Sequence, residues 1–157
     1  LLKKTAKLCI LIDGVRIMIR YETEISGIDW NKAAEGFSRA PLGECESEKL
    51  ARAFQNSYAH IFVYEDERLI GLGRALCDGE YQAGIYDVLL LPEYHGTGIG
   101  KGIVQQLCKQ LPMPNIILYD VPGREEFYRK CGFTKMPTAM AVLHPRLSDS
   151  KHGYLEV

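Results

Sequence analysis

A mixed α/β fold is what this sequence predicts, and three observations predict it. Apolar runs of period 2 alternate with stretches of helical period. A long apolar strand passes through a glycine-rich turn straight into a helix. A further apolar strand follows that helix, as a right-handed parallel crossover requires. The expected architecture is α/β in the α+β sense: a central twisted mixed sheet flanked by about four helices. The 157 residues suit one domain, 1–157, with its core over about 16–143 and a peripheral N-terminal hairpin and C-terminal tail.

The elements follow in chain order. Lys7 to Arg20 reads as a hairpin, two apolar runs around Asp13-Gly14, with strand alternation over Arg16 to Ile25. Asp29 is the expected N-cap of a helix from Trp30 to about Arg39, and Ala40-Pro41-Leu42-Gly43 breaks the chain. Ser47 is the expected cap of a second helix carrying Leu50, Ala51, Phe54 and Tyr58 at helical spacing. Strands are expected at Ile61 to Tyr64 and, after a charged turn, at Leu69 to Cys77, where Gly71 and Gly73 interrupt the run. Ala83 to Leu91 is apolar on both faces and so reads as a central strand. From Ile99 to Leu111 one apolar face recurs at helical period, and Pro112 ends it. Asn115 to Val121 reads as a buried strand paired in parallel with the central one, and Met136 to Leu143 as a last strand. Between them lies a short helix, Glu125 to Cys131, with acids in its first turn, bases in its last and Gly132 beyond.

Composition narrows the classes. The net charge is -1, with 46% hydrophobic and 25% charged residues, so nothing calls for nucleic acid or an anionic membrane. No apolar run approaches the roughly 20 residues of a membrane span. Lys3, Lys4 and Lys7 precede Leu8 to Ile12, but no small-residue cleavage site follows, which argues against a signal peptide. The five cysteines (Cys9, Cys45, Cys77, Cys108, Cys131) form no CxxC pair and read as free thiols of a reducing, cytoplasmic setting. The histidines His60, His95, His144 and His152 lack ligand spacing, so no metal is expected.

The most informative segment runs from Leu89 to Lys101, where a buried strand meets His95-Gly96-Thr97-Gly98-Ile99-Gly100-Lys101 and then a helix. Amides at a helix start lack intrahelical partners. Glycines clear space around them, and the helix dipole favours an anion there. Lys101 adds a cation. The segment is not a P-loop, since Gly96 to Lys101 is one residue short and Gly102 follows the lysine, and GxGxxG fails at Lys101 and Ile103. On the glycines alone, a phosphate cradle and a bare strand-to-helix turn stay open.

Two segments together resemble the GNAT acetyltransferase superfamily. His95-Gly96-Thr97-Gly98-Ile99-Gly100 resembles its motif A, Arg/Gln-x-x-Gly-x-Gly/Ala, and Phe127-Tyr128-Arg129-Lys130-Cys131-Gly132-Phe133 resembles its motif B, Phe-Tyr-x-x-x-Gly-Phe. The likeness covers about Arg16 to Leu143. Tyr86-Asp87-Val88 with Leu118-Tyr119 is further similar to the plant-plastid and cyanobacterial branch that acetylates arylalkylamines and protein amines. The resemblance implies the acyl-CoA N-acyltransferase fold, acetyl-CoA as cosubstrate and a primary amine as acceptor, by direct attack in a ternary complex. It implies that main chain at Leu89, Leu90 and Leu91 holds the pantetheine arm in a V-shaped opening beside the central strand. Amides from Gly96 to Lys101 would then hold the pyrophosphate, with Tyr128 near the sulfur. A homodimer is expected on the same ground. His95 departs from the motif, losing the permanent charge of Arg.

Acetyl transfer to an amine requires that the amine lose a proton, that the carbonyl oxygen be stabilised and that the thiolate leave. Asp87 and Tyr86 precede the coenzyme stretch and are expected on opposite faces of their strand. Asp87 is the candidate base, working through water, or else a structural partner of loop amides. The amide of Leu89 or a neighbour is the candidate oxyanion donor. Tyr128 is the candidate acid, or else a packing aromatic. Trp30, Phe37, Phe54, Tyr58, Tyr81 and Tyr119 could line an acceptor site, although such aromatics are mostly core. Two rival readings remain: a non-catalytic acyl-CoA-binding or sensor module, and a pure interaction domain.

Overall fold

The computed structural model describes residues 5–12, 14–40, 42–112, 115–144 and 153–155. Asp13 of the hairpin turn, Pro41 of the chain break, Lys3, Lys4 and His152 lie outside the described residues. Two compact units emerge, Leu1–Leu118 and Tyr119–Val157.

The first unit is a six-stranded sheet in the order β1-β2-β3-β4-β5-β6. β1 (Ala6–Ile12) and β2 (Val15–Glu22) form the expected hairpin, with Ile12 opposite Val15 and Gly14 at φ 81°. α1 (Trp30–Arg39) starts where predicted, the Asp29 carboxylate accepting from the Asn31 and Lys32 amides at 3.2 Å each. α2 (Ser47–Gln55) starts one residue away from expectation. Glu46 is its N-cap, no side chain caps it, and Ser47 is already helical. β3 (Ala59–Glu65), β4 (Arg68–Cys77) and β5 (Ala83–Leu90) continue the antiparallel meander. A 3-10 turn (Pro92–Tyr94) leads to α3 (Ile99–Cys108). β6 (Ile116–Ile117) then pairs with β5 in parallel, which is the crossover the sequence predicts.

Two faces of the sheet are covered. On one, Phe54 of α2 and Phe62 of β3 are fully buried at 5.4 Å between ring centroids, with Trp30 of α1 against both. On the other, Ile99, Ile103, Val104 and Leu107 of α3 are buried, as their helical spacing predicts. The glycines that interrupt β4 explain how α3 comes so close. A Cβ at Gly71 or Gly73 would stand 3.0 Å from the Ile103 side chain.

Three expectations are corrected. β5 is not central but next to the edge strand. Its apolar character on both faces reflects cover by α1 and α3 rather than a middle position. The strand expected over 115–121 shrinks to Ile116–Ile117, with Ile117 51% exposed, because pairing with β5 stops after two residues. The strand expected over 136–143 is absent. Pro137 cannot donate to a ladder, and Met140 and Val142 are fully exposed, so alternation there finds no sheet to join.

The second unit contains α4 (Glu125–Lys130), with Glu125 and Glu126 in its first turn and Arg129 and Lys130 in its last. Gly132 follows at φ 95°, and the Phe133 amide donates to the Tyr128 carbonyl at 3.0 Å, closing the helix end as motif B suggests.

Candidate functional site

The site is organised by a fault in β5. Leu72 faces Leu89 and Arg74 faces Tyr86, so two steps along β4 match three along β5. The extra residue is a β-bulge, and Asp87 takes it at φ 53°, a left-handed conformation that Asp tolerates better than most side chains. The bulge overturns the expectation that Tyr86 and Asp87 point apart. Both meet Arg74, whose Nε donates to Asp87 Oδ2 and whose guanidinium lies 5.4 Å from the Tyr86 ring centroid. Arg74 also reaches Ser57 Oγ at 3.5 Å. Asp87 is therefore partnered by a guanidinium rather than by loop amides, and one of its two oxygens is engaged. Cys45, in the α1–α2 connection, lies within the field of Asp87. Burial first, and that charge second, push its thiol pKa up, which keeps the sulfur protonated.

Beyond Gly84, β5 has no strand paired to its outer side among the described residues, since β6 pairs only with Ala83 and Gly84. Strand alternation decides which main-chain groups face that open edge. The Leu91 amide donates to the Ile70 carbonyl at 2.9 Å, so Leu91 faces β4, and so does Leu89, opposite Leu72. The open edge belongs to Leu90 and Val88. The expectation for the trio of Leu89, Leu90 and Leu91 is thus corrected: Leu90 has its main chain on the open edge, while Leu89 and Leu91 have theirs turned toward β4. Leu89's amide is likewise a poor oxyanion donor, which leaves Val88 as the neighbour on the open side.

The loop that follows is anchored from below. Tyr94 is buried, its hydroxyl donates to Glu65 Oε2 at 2.5 Å, and Arg68 lies over its ring. Burial, then the Glu65 bond and charge, raise its pKa to about 12. The Tyr94 carbonyl in turn accepts from Thr97 Oγ1 at 2.6 Å, which holds the next turn in place. Gly96 and Gly98 sit at φ 80° and 87°, with nothing within 4 Å of where a Cβ would be. Gly98 is the N-cap of α3, and its carbonyl accepts from Gly102. Among the described residues, no protein acceptor meets the amides of Gly96, Gly98, Ile99, Gly100 or Lys101. Five main-chain donors with no partner at a helix start, faced by glycines that leave open space, fit a diphosphate. Lys101 is exposed beside them.

His95 has a defined job. Its Nε2 lies 3.0 Å from the Leu90 carbonyl. A carbonyl only accepts, so Nε2 carries the proton, and the ring covers a main-chain oxygen on the open edge.

Tyr128 belongs to the second unit. Its ring meets Phe127 at 4.9 Å and Phe133 at 6.1 Å, and burial, followed by the charge of Asp120, raises its pKa to about 12. Of the aromatics proposed for an acceptor site, Phe37 and Phe54 are buried and Trp30 packs on Phe54, whereas Tyr58, Tyr81 and Tyr119 are exposed. Sequence reasoning missed Arg74, Cys45 and Tyr94. The first two reach Asp87 only through long-range packing, and only Tyr94, an aromatic inside the polar loop, carried a local signal.

The family of acetyltransferase (GNAT) domains matches residues 57–135, which span β3 to the end of motif B. The chain belongs to the GNAT acetyltransferase family. A histone acetyltransferase of Glycine max, TAP1, is 36% identical over 116 residues, 65% of this chain and 48% of the relative. Serotonin N-acetyltransferase 2, chloroplastic, of Oryza sativa subsp. japonica is 31% identical over 124 residues, 73% of this chain and 61% of the relative. The chain thus spans about half the length of the first curated relatives it matches. The solved structure of a Staphylococcus aureus protein described as a probable acetyltransferase superposes with a TM-score of 0.71 at 21% identity, covering 81% of this chain and all of the other. That likeness establishes the GNAT fold, a mixed sheet with flanking helices.

Proposed function

We propose that this GNAT domain is an N-acetyltransferase that binds acetyl-CoA and passes its acetyl group to a primary amine by direct attack. The observation that carries the reading is the set of unpartnered amides of Gly96, Gly98, Ile99, Gly100 and Lys101 at the start of α3. These donors would hold the pyrophosphate, with Lys101 as an added cation. The Leu90 carbonyl and the Val88 main chain would hold the pantetheine arm as a neighbouring strand would, His95 yielding or sharing the Leu90 oxygen.

The amine must arrive as free base, although an alkylamine has a pKa of about 10.4. Asp87 is proposed to take its proton through water on the oxygen that Arg74 leaves available, and Arg74 to position that carboxylate. Tyr86, against the same guanidinium, is proposed as a positioning aromatic. Tyr128 is assigned to the departing thiolate on the family resemblance. Moving a proton from a phenol of pKa about 12 to a thiolate of about 8.5 is uphill by about 5 kcal/mol. Its role is therefore to donate a hydrogen bond rather than to surrender the proton.

The acceptor class stays at the level of a primary amine, since one relative is named for histones and another for serotonin. A single domain and a homodimer remain part of the proposal. So does a reducing compartment, with the plastid as open as the cytoplasm because one relative is named chloroplastic. No helix among the described residues is long and apolar enough to cross a membrane. The deciding experiment incubates the protein with acetyl-CoA and a panel of arylalkylamines, polyamines, amino sugars and lysine peptides, and reads acetylated product by mass. Product with at least one amine class, absent without protein, is expected. Saturable acetyl-CoA binding with no product from any amine would instead favour the non-catalytic sensor.

A further inference from the structure

The first unit holds a cavity of about 410 Å³ whose lining includes neither Asp87 nor Arg74. It lies between α1 and the start of β4, and none of the loop residues from Glu93 to Lys101 lines it. Its floor is apolar, made by Leu69, Leu72, Leu89 and Leu91, and its size falls in the range of small-molecule sites. The rim is charged. Lys32, Arg39 and Arg68 stand against Glu35 and Glu67, and Glu67 is 95% exposed and reaches back to Arg20.

The two arginines are arranged in an unusual way. Nη2 of Arg39 and Nη2 of Arg68 both donate to one atom, Glu93 Oε1, at 2.9 and 2.6 Å. Among the described residues Nε and Nη1 of Arg39 have no protein acceptor, and both side chains are half exposed. A guanidinium is a planar fork suited to two parallel bonds with a carboxylate. Here two forks share a single oxygen; Nη1 of Arg68 also donates to the Tyr94 hydroxyl at 3.4 Å, which leaves Nε and Nη1 of Arg39 as the donors beside an apolar recess. Glu93 thus occupies a place that a free carboxylate could fill better.

We propose that this cavity binds a small organic monocarboxylate with an apolar body, an aryl- or alkylcarboxylate, whose anionic end takes the place of Glu93 between Arg39 and Arg68. The apolar body lies on the leucine floor, and the Arg39 donors that no protein atom among the described residues accepts from suit a single carboxylate. The inference does not depend on acetyl transfer, and acetyl-CoA binding by the same sample is measured separately.

The test titrates phenylacetate and butyrate into the whole protein at fixed ionic strength, with phenethylamine as the cationic counterpart, and follows main-chain and methyl NMR shifts. Saturable shifts at Leu69, Leu72 and Leu91 are expected with the carboxylates and not with the amine. Arg39→Ala and Arg68→Ala are each expected to weaken phenylacetate about tenfold by removing a charge-assisted donor. Glu93→Gln removes the internal competitor and is expected to tighten it several-fold. That gain distinguishes a binding site from a merely structural cluster, and it keeps the test decisive if an arginine variant fails to fold. No saturable binding to the wild type, equal binding of phenethylamine, or weaker binding in Glu93→Gln would each overturn the proposal.

Discussion

Replacing Gly98 by alanine separates the cost of a strained backbone from the loss of a ligand. Gly98 caps α3 at φ 87°, and a Cβ there would have no atom of the described residues within 4 Å. The methyl therefore clashes with nothing in the protein and costs only the left-handed conformation, about 1 kcal/mol. For a chain of this size that lowers Tm by about 2–4 °C. Gly79 supplies the control, because it has φ 88° and equally open space in the β4–β5 turn. Gly79→Ala should lose the same few degrees. The two variants should part on acetyl-CoA binding measured by calorimetry. At position 98 the methyl stands among the unpartnered amides, where it keeps a diphosphate at a distance or turns the loop away. Losing two amide bonds to a charged phosphate, each about 1.5 kcal/mol, weakens binding by about 100-fold. Gly79→Ala should bind as the wild type does. Equal acetyl-CoA affinity in Gly98→Ala and Gly79→Ala, at equal loss of Tm, would refute the reasoning.

Other perturbations have equally definite outcomes. Gly102 lies under Tyr21, whose hydroxyl donates to the Ile99 carbonyl at 3.2 Å, and a Cβ at 102 would stand 2.3 Å from that hydroxyl. Gly102→Ala should destabilise by about 1–3 kcal/mol in urea unfolding, and pairing it with Tyr21→Phe should recover part of the loss. His60 is partly buried with no partner for Nδ1 among the described residues, and burial lowers its pKa, against a weaker opposing bond that the imidazole donates to the Thr23 backbone and the charge of Glu24. Its native form is therefore the neutral one. Stability is complete above the unfolded pKa of about 6.5 and falls as pH drops toward the lower folded value, by at most about 1.4 kcal/mol per pH unit. His60→Phe should flatten that slope, and an unchanged slope would show the buried imidazole is not its source. Tyr128→Phe should lower kcat with little change in KM for acetyl-CoA, because the phenol is assigned to the leaving group alone. A matching rise in KM would mean that it binds the ground state instead.

Much of this protein could be read from local sequence. Asp13-Gly14 marks the first hairpin, Asp29 marks the start of α1, and the glycines from Gly96 to Gly100 followed by Ile99, Ile103 and Leu107 mark both the loop and the helix it feeds. What could not be read depends on partners distant in the chain. The bulge at Asp87 exists because β4 and β5 run out of register between Leu72 and Arg74, and nothing in Tyr86-Asp87-Val88 alone announces it. The same holds for Arg74 meeting Asp87, and for which of Leu89, Leu90 and Leu91 faces outward, since the pairing of Ile70 with Leu91 decides it. The segment 136–143 fails for the converse reason. Its alternation satisfies the local rule for a strand, but a strand also needs an edge to pair with, and Pro137 withholds a donor.

The central claim is that main-chain donors at the start of α3 receive the coenzyme, and amide-resolved NMR during a titration with acetyl-CoA tests it most directly. Saturable shifts at Gly96, Gly98, Ile99, Gly100 and Lys101, with slowed hydrogen exchange at the same five amides, are predicted. Shifts confined to other parts of the chain, or none while substrate-level acetyl-CoA is present, would contradict it.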